Sequence, residues 1–359
     1  MRTIKIVLTG GPRAGKSSII EEIKDYVSKK SNVRLYIIPE TATEISKNLV
    51  KPQNVDVGYY FQNTVFKRQL FKEDEVKEVL NYSFGDINII LCDRGIFDNK
   101  AYLNDDYEFD LLLECYKKNE LELLDEYDMV LHLVSSSLKE NIEYETESNK
   151  ERYESKEESK KLDIKTRKAW LGSRNWNIIY PEDNFEVKVN NVKKYIDSAI
   201  DNYYADESNY YLIETDIDKF NNKSKKLEVK ELFLSTNDGT SLVLIKRKYN
   251  GYSTYFIENR KYDGNKVIKY NEEKITYEKY IKYLYKYDII KEIEKEEISF
   301  MYDGVFCLVT NYGDTLVLKT PSYVNVNNIE DITILNKIDD IEEYENECWT
   351  NYIKKCKKM

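Results

Sequence analysis

The sequence predicts an α/β domain, with a parallel sheet covered by helices on both faces, followed by a β-rich antiparallel domain. The first half alternates short apolar runs with longer helical patterns, which is typical of a parallel sheet. From about residue 209 the runs become β-rich and meet at glycine turns. Because 359 residues suffice for two cores, we expect domains at residues 1–204 and 209–345 and a basic tail at residues 346–359.

The elements of the first domain are predicted by the alternation of two patterns. Its strands are "TIKIVLT", "VRLYII", "INIILCD" and "MVLHL", and its helices include "SSIIEEIKDYV", "TEISKNL" and "YYFQNTVFKRQLFKEDEVKEVLNY". The strands are nearly continuous apolar runs, as expected of parallel strands that are buried on both faces. We expect residues 186–204 to form the helix that closes this domain.

The second domain is predicted by hairpin signals. The turns "NDG", "YNG", "YDG" and "NYGD" separate strand-like runs such as "SLVLIKRKY". One helix, "TYEKYIKYLYKYDII", interrupts the strands. This arrangement favours an antiparallel barrel or a strongly curved sheet.

Composition excludes several classes of function. The 55 basic and 65 acidic residues give a net charge of −10, so we expect no nucleic acid partner. The five cysteines form no CxxC pair, which predicts a reducing compartment and no disulfide framework. No stretch approaches the ~18 apolar residues of a transmembrane helix. We therefore expect a cytoplasmic protein, with peripheral attachment to a membrane as the alternative.

The single histidine restricts the chemistry further. With His132 alone, catalytic triads that need a histidine base and multi-histidine metal sites are difficult to build. His132 lies in the apolar run "MVLHLVSS", so we expect it to have a structural role.

The segment "TGGPRAGKSS" has the spacing of a phosphate-binding P-loop. Glycines at positions 10 and 15 allow backbone N–H groups to face phosphates, and the strand before and the helix after give the expected context. In this pattern Lys16 contacts the β and γ phosphates, and Ser17 holds Mg²⁺. The predicted loop consists of Gly10, Gly11, Pro12, Arg13, Ala14, Gly15, Lys16, Ser17 and Ser18.

Two carboxylates follow predicted strands. Asp93 ends "INIILCD", where a P-loop protein places the acid that holds Mg²⁺ together with Ser17, although it could merely cap a helix. Glu40 ends "VRLYIIPE" and could be a general base for a substrate hydroxyl, a second Mg²⁺ partner, or a solvated loop acid.

A charged segment before the closing helix has the features of a lid. Arg152, in "NKERYESKEES", could reach the transferring phosphates, and Arg167 and Lys168 are weaker candidates for the same task. The alternative is a solvated helical face.

The second domain offers basic side chains on or beside its strands. If the sheet closes into a barrel, such residues could converge inward and bind a polyphosphate. If they point outward, they protect strands from aggregation. The candidates are Lys246, Arg247, Lys248, Arg260, Lys295 and Lys319.

Several motifs resemble a known family. "VLTGGPRAGKSSI", "IIPETATEI", "YYFQNTVFKRQL" and "ILCDRGIFDNKAYL" are similar to the AAA-type ATP/GTP-binding domain of nicotinamide-riboside-kinase-like proteins. With the "LIKRK" strand in the second half, the whole chain resembles the TRPL translocation defect proteins, in which a CYTH-like domain follows. The resemblance implies a purine nucleoside triphosphate (ATP or GTP), Mg²⁺, and an anionic ligand such as a phospholipid head group or polyphosphate.

One departure limits what the resemblance implies. CYTH-like triphosphate tunnel enzymes begin with ExExK, whereas "IETDIDKF" offers Glu214, Asp216 and Asp218 with no basic residue at the fifth position. Binding of a head group or polyphosphate is therefore expected, and metal-dependent triphosphate hydrolysis is not. Two functions stay open for the whole chain: a phosphotransferase, and a nucleotide-dependent regulatory or trafficking module.

Overall fold

The computed structural model describes residues 2–48, 58–80, 86–135, 156–180, 184–202, 208–220, 224–235, 240–263, 266–302, 304–321, 329, 331–339 and 341. The chain separates into two compact units, Met1–Ile200 and Asp201–Met359. Arg152 and the tail expected at residues 346–359 lie outside the described residues.

The first unit is an α/β domain with a five-stranded sheet in the order β2-β3-β1-β4-β5. Every pairing in this sheet is parallel, which confirms the predicted fold class. In chain order its elements are β1 (Arg2–Thr9), α1 (Lys16–Ser28), β2 (Val33–Ile38), α2 (Thr41–Asn48), α3 (Gly58–Leu80), β3 (Ile87–Asp93), a 3₁₀ helix (Ile96–Tyr102), α4 (Asp106–Cys115), α5 (Glu120–Leu124), β4 (Met129–Leu133), α6 (Lys156–Ala169), β5 (Trp176–Ile179) and α7 (Phe185–Asp201).

Burial of the central strands explains why they read as continuous apolar runs. In β1 every residue from Ile4 to Thr9 is buried, so both faces of the sheet are covered at this strand. The largest fully buried side chain is Trp170, which follows α6 and packs against Phe97 and Tyr127. This packing attaches the loop after β3 to the core.

The topology brings the predicted phosphate site to one edge of the sheet. In a parallel sheet the carboxyl ends of all strands lie at the same edge, where open α/β folds bind ligands. The central strand β1 pairs with β3 so that Leu8 lies opposite Asp93, and the P-loop follows directly. Glu40 follows β2, which pairs with the other side of β3. The loop and both carboxylates therefore meet at this edge.

The second unit is a nine-stranded sheet in the order β10-β9-β8-β7-β11-β12-β13-β6-β14. Its pairings are antiparallel, as the hairpin signals predict. Its elements are β6 (Ser208–Glu214), a 3₁₀ helix (Ile217–Phe220), β7 (Ser224–Leu234), β8 (Ser241–Tyr249), β9 (Tyr252–Asp263), β10 (Lys266–Ile275), α8 (Tyr277–Lys286), β11 (Ile289–Tyr302), β12 (Val305–Asn311), β13 (Leu316–Pro321) and β14 (Thr333–Ile338).

The predicted barrel closure is wrong for the strands that the structure describes. No pairing joins the edge strands β10 and β14, so the sheet is open. Closure requires the tilt and stagger of all strands to agree, whereas these strands range from 6 residues in β14 to 14 in β11. Hairpin turns predict which strands are neighbours, but they carry no information on closure.

Helix α8 covers part of one face of this sheet. Tyr280 is buried against an apolar cluster that includes Leu232, Leu244 and Ile257. The helix begins at a Thr276 cap, whose side chain accepts a hydrogen bond from the backbone of Lys279. Within the described part of the chain, no helix is long and apolar enough to span a bilayer.

Candidate functional site

Two glycines of the P-loop, Gly10 and Gly15, have positive φ angles. Gly10 has φ 144°, and a Cβ added there would lie 2.2 Å from the carbonyl oxygen of Leu133. Gly15 has φ 82° and precedes the first residue of α1. Ser17 and Ser18 are exposed in the first turn of that helix. The loop is thus seated against β4, while its junction with α1 faces solvent.

Lys16 is held inside this loop by its own backbone. Its side chain is 6% exposed, and its Nζ donates to the carbonyl oxygens of Gly10 at 3.0 Å and Gly11 at 3.3 Å. Burial and the nearby Arg94 charge together lower the pKa of Lys16 to about 7, against the attraction of Glu40 and Asp93. An anion that enters the loop would therefore stabilise the charged form of Lys16.

Asp93 presents an unsatisfied oxygen at the same place. Its Oδ1 is buried and has no hydrogen-bond partner among the described residues. Burial raises the pKa of Asp93 to about 6, with the Glu40 charge adding to the rise and the Lys16 charge opposing it. A buried carboxylate oxygen without a donor is suited to a cation, and the exposed Ser17 hydroxyl is a hard oxygen of the kind that Mg²⁺ prefers. These residues fit the Mg²⁺ that the P-loop implies.

Glu40 is engaged by a cation. Arg94 Nε donates to Glu40 Oε1 at 2.5 Å, and Thr43 Oγ1 donates to Glu40 Oε2 at 2.7 Å. Burial by itself would raise the pKa of Glu40, but the charges of Arg94 and Lys16 hold it at about 2. Arg94 also donates from Nη1 to the Gly10 carbonyl at 3.1 Å. Glu40 is therefore paired beside the P-loop rather than a solvated loop acid.

Asp98 is a buried carboxylate that the sequence prediction missed. Its Oδ1 accepts hydrogen bonds from Thr9 Oγ1 at 2.5 Å and from Trp170 Nε1 at 2.8 Å. Its Oδ2 lies 3.8 Å from Arg94 Nη1. Asp98 lies in the short 3₁₀ helix after "CDRG", where neither a motif spacing nor a strand end marks it in the sequence.

Asp163 in α6 supports the P-loop from behind. Its Oδ1 accepts hydrogen bonds from the backbone N–H groups of Gly11 and Ser135, both at 3.1 Å, and lies 3.3 Å from His132 Nε2. Burial lowers the pKa of the His132 imidazole, in spite of the Asp163 charge. Because this contact lies beneath the loop, we interpret His132 as part of the buried packing that supports the loop.

Arg167, a weaker candidate for a lid arginine, is placed differently. It is 2% exposed, and its Nε donates to Asp163 Oδ2 at 2.9 Å. Arg167 is therefore paired with an acid of its own helix, and its role beside the P-loop is structural. Lys168 is exposed on the surface of α6.

A buried polar chain on α3 connects two parts of the site. Gln69 is 3% exposed; its Oε1 accepts from Thr41 Oγ1 at 2.5 Å, and its Nε2 donates to Glu73 Oε1 at 2.7 Å and to the Arg94 carbonyl at 3.4 Å. Glu73 in turn accepts from Tyr127 and forms an ion pair with Lys5. Gln69 thus links the residue after Glu40 to the backbone of Arg94.

In the second unit, four of the six basic candidates share one face of the sheet. Cross-strand partners lie on the same face, and the pairings place Arg247, Arg260, Lys295 and Lys319 together. We call this the charged face. Lys319 Nζ lies 5.5 Å from the centre of a tyrosine ring on β6.

The charged face also carries buried acids. Lys295 Nζ lies 2.9 Å from Glu231 Oε1, and Arg260 Nε donates to Glu258 Oε2 at 2.7 Å. Burial raises the pKa of Glu258, with Glu272 and Glu231 adding to the rise and Arg260 opposing it. Arg247 is 3% exposed on the same face.

Two basic candidates lie on the opposite face. Lys246 pairs across the strands with Lys230 and Tyr255, and Lys248 pairs with Glu228, whose carboxylate it contacts at 3.0 Å. Both belong to the face that α8 covers, because alternate residues of a strand point to opposite sides. The six basic candidates are therefore divided between the two faces of the sheet.

Comparison with known proteins gives distant structural likenesses. A thymidylate kinase from Ehrlichia chaffeensis is 15% identical with a TM-score of 0.36, and the match covers 55% of this chain and 100% of that one. The PH1819 protein from Pyrococcus horikoshii OT3 is 12% identical with a TM-score of 0.30, covering 40% of this chain and 98% of that one. Neither likeness is close enough to bear on function. No curated protein matches.

A protein-family model settles the class of the first unit. The family described as AAA domain matches residues 5–188, which is just over half of the 359 residues. The match contains the P-loop, both strand-end carboxylates and the Asp163 contact. The first unit is accordingly a P-loop nucleotide-binding domain, and the chain belongs to the AAA domain family.

Proposed function

We propose that the first unit binds the Mg²⁺ complex of ATP or GTP and transfers its terminal phosphoryl group to a hydroxyl of a small acceptor. One observation carries the proposal: the buried amine of Lys16 and the unsatisfied Oδ1 of Asp93 lie at one edge of the sheet, beside the Glu40–Arg94 ion pair. This set supplies a cation for phosphates, an oxygen for a metal, and a carboxylate beside the reacting group.

Lys16 and the loop backbone would bind the phosphates. The phosphates would replace the two carbonyl oxygens as partners of Lys16. Their negative charge would raise the pKa of the Lys16 amine, which is lowered to about 7 in the buried loop. The helix dipole of α1 favours the same anion. Arg94, held 3.1 Å from the Gly10 carbonyl, lies where a second positive charge can stabilise the transferring group.

Ser17 and Asp93 would hold the metal. When bound, Mg²⁺ supplies neutralisation of the charge on the phosphate oxygens. A hydroxyl and one carboxylate suffice on the protein side, because Mg²⁺ usually keeps several waters and takes phosphate oxygens as its other ligands.

Glu40 would orient the acceptor hydroxyl. With a pKa of about 2 it is a weak proton acceptor while Arg94 is bound to it. Phosphoryl transfer has a loose transition state and depends mainly on positioning and electrostatics. A carboxylate that accepts the hydroxyl hydrogen bond and takes the proton late is therefore sufficient.

Two substitutions test the proposal. Lys16→Met should abolish calorimetric binding of Mg-ATP and Mg-GTP, because the amine is the central phosphate contact. Glu40→Gln should keep nucleotide affinity within about threefold while acceptor-dependent turnover falls by at least ~100-fold, a loss in the usual range for a proton-transfer group. Turnover is measured with nicotinamide riboside and other small hydroxyl compounds as acceptors. Unchanged nucleotide binding in Lys16→Met contradicts the proposal.

The charged face of the second unit supports a second candidate function. Under this alternative the chain is a nucleotide-dependent regulatory module that binds a phospholipid head group or polyphosphate and attaches peripherally to membranes. Arg247, Arg260 and Lys295 lie on one face beside Glu231 and Glu258, so an entering phosphate could replace carboxylates as the partner of these cations.

A matched pair of double variants separates this candidate from the first. Arg247→Ala with Arg260→Ala removes two positive charges from the charged face and should abolish binding of tripolyphosphate or phosphoinositide head groups to the second unit. Lys246→Ala with Lys248→Ala removes the same charge from the opposite face and should leave that binding unchanged. Equal loss in both pairs would indicate non-specific attraction. If the chain binds nucleotide and a head group but shows no acceptor-dependent turnover, the regulatory module is favoured over the phosphotransferase.

A further inference from the structure

An exposed aromatic side chain lies beside the P-loop. Phe185 is the first residue of α7, and its side chain is 47% exposed. Its ring atom Cε2 lies 3.8 Å from the position that a Cβ on Gly15 would occupy. The ring therefore borders the loop at its junction with α1.

The position of Phe185 is fixed relative to the loop. Lys188, one turn further along α7, is 7% exposed, and its Nζ donates to the carbonyl oxygen of Ala14 at 2.9 Å and to that of Val134 at 3.2 Å. These two bonds attach the first turn of α7 to the P-loop and to the segment after β4. Because Lys188 is anchored, the turn of α7 that carries Phe185 is held beside the loop.

The path of a bound nucleotide leads past this ring. The phosphates would lie along the loop backbone and against Lys16, which is buried. The nucleoside must then leave on the open side, where Ser17 and Ser18 are exposed. Phe185 is an aromatic residue that borders the loop on this side. A nucleobase has an apolar π-face, and stacking it on an aromatic side chain is favourable for every base.

Exposure alone would not single out Phe185. Tyr60, Phe71 and Tyr107 are exposed to a greater extent, and isolated apolar residues on a surface need no explanation. Phe185 differs because its ring lies beside the phosphate loop at Gly15 and its helix is hydrogen-bonded to that loop.

We propose that Phe185 is the stacking platform for the nucleobase and gives the first unit its preference for purines. The inference rests on the proposed nucleotide binding of the first unit. Purines present a larger π-face than pyrimidines, so the platform contributes more to ATP and GTP than to CTP and UTP.

Binding of matched ligands to the full-length chain tests the platform. Calorimetry with Mg²⁺ compares ATP, GTP, CTP and tripolyphosphate, which carries the phosphates without a base. Phe185→Ala should weaken ATP and GTP about tenfold or more, weaken CTP less, and leave tripolyphosphate unchanged. Phe185→Trp should retain purine affinity, whereas Phe185→Leu, which is apolar but has no π-face, should lose most of it.

A nearby control and the wild type make the outcomes distinct. Val187→Ala removes a side chain of similar exposure, 44%, from the same turn of α7 and should change none of the affinities. Equal weakening of ATP and tripolyphosphate in Phe185→Ala, or full affinity in that variant, overturns the platform while nucleotide binding stands. If the wild type binds tripolyphosphate and nucleotides equally, the platform also fails. If it binds neither, the proposed function itself fails.

Discussion

At the residue scale, the ionisation of Lys16 and Asp93 is set by burial. The pKa of Lys16 is lowered to about 7 and the pKa of Asp93 is raised to about 6, so both groups are shifted toward neutrality. A bound phosphate would favour the charged form of Lys16, and a bound cation would favour the charged form of Asp93. A bound magnesium nucleotide would thus stabilise the charged forms of both side chains. Shifted pKa values of this kind are common at functional sites.

The raised pKa of Asp93 predicts a pH dependence of binding. Below about pH 6 the carboxyl is protonated, and a protonated carboxyl does not bind Mg²⁺. The affinity gained by adding Mg²⁺ to ATP should therefore fall as the pH is lowered from 7.5 to 5.5, as measured by calorimetry. Asp93→Asn should lack this Mg²⁺-dependent gain at both pH values. A gain that is unchanged at pH 5.5 would contradict the assignment of Asp93 to the metal.

The same shift predicts that Asp93 destabilises the chain in the absence of nucleotide. A carboxyl whose folded pKa is raised from 3.8 to about 6 stabilises the fold below the lower value and loses that contribution as the pH rises through the higher one. Asp93→Asn should thus raise the free energy of unfolding at pH 7 by about 1–3 kcal/mol. The gain should shrink toward pH 4 in urea unfolding. A loss of stability at pH 7 would contradict this prediction.

Residues of the site differ in how far the sequence could predict them. The spacing of Gly10, Gly15 and Lys16 is the one that phosphate binding requires. Asp93 follows a strand whose burial is evident from its apolar run. Asp98 and Asp163 could not be found in that way. Asp163 lies in a highly charged segment that is typical of a solvated helix, and only the tertiary fold brings it under Gly11.

At the element scale, the P-loop depends on one close approach of backbone to backbone. Gly10→Ala would place a Cβ 2.2 Å from the Leu133 carbonyl oxygen, so the loop or β4 must move. Gly15 also has a positive φ, 82°, but the atom nearest to an added Cβ is 3.8 Å away. We expect Gly15→Ala to cost about 1 kcal/mol of stability from backbone strain and Gly10→Ala to cost at least ~3 kcal/mol. Equal losses in thermal unfolding would contradict the steric explanation.

Helix α3 contributes a polar residue whose role is positioning. Gln69→Leu removes partners from Thr41, Glu73 and the Arg94 carbonyl in a buried place. Leaving such groups unsatisfied should lower the free energy of unfolding by about 2–3 kcal/mol. Thr64→Ala on the exposed side of α3 serves as control and should change stability by less than ~0.5 kcal/mol. Equal small effects in urea unfolding would show that Gln69 is dispensable.

The strands of the first unit could be predicted more fully than the sheet of the second unit, and the difference has a physical cause. Parallel strands buried on both faces read as unbroken apolar runs, so β1 to β4 and their order along the chain could be predicted. The sheet of the second unit was predicted from its turns, which fix neighbours such as β8 and β9. Whether nine strands close depends on tilt and stagger, which local sequence does not encode.

At the scale of the whole molecule, the two compact units Met1–Ile200 and Asp201–Met359 have separate cores. A ligand that binds one folded unit stabilises that unit by mass action, by about 2.7 kcal/mol at a concentration 100 times its Kd. For a unit of about 200 residues this corresponds to a rise in Tm of about 5–10 °C. Ligands can therefore report which unit binds them.

Scanning calorimetry of the full-length chain should accordingly resolve two transitions. Mg-ATP or Mg-GTP should raise the Tm of one transition only, because the P-loop and both strand-end carboxylates belong to the first unit. Lys16→Met should remove this shift and leave the other transition unchanged, since Lys16 lies in the first unit alone. Under the second candidate function a phosphoinositide head group should raise the other Tm, and Arg247→Ala with Arg260→Ala should remove that rise. If nucleotide raises both transitions equally, and does so in Lys16→Met as well, the assignment of the nucleotide to the first unit loses its support.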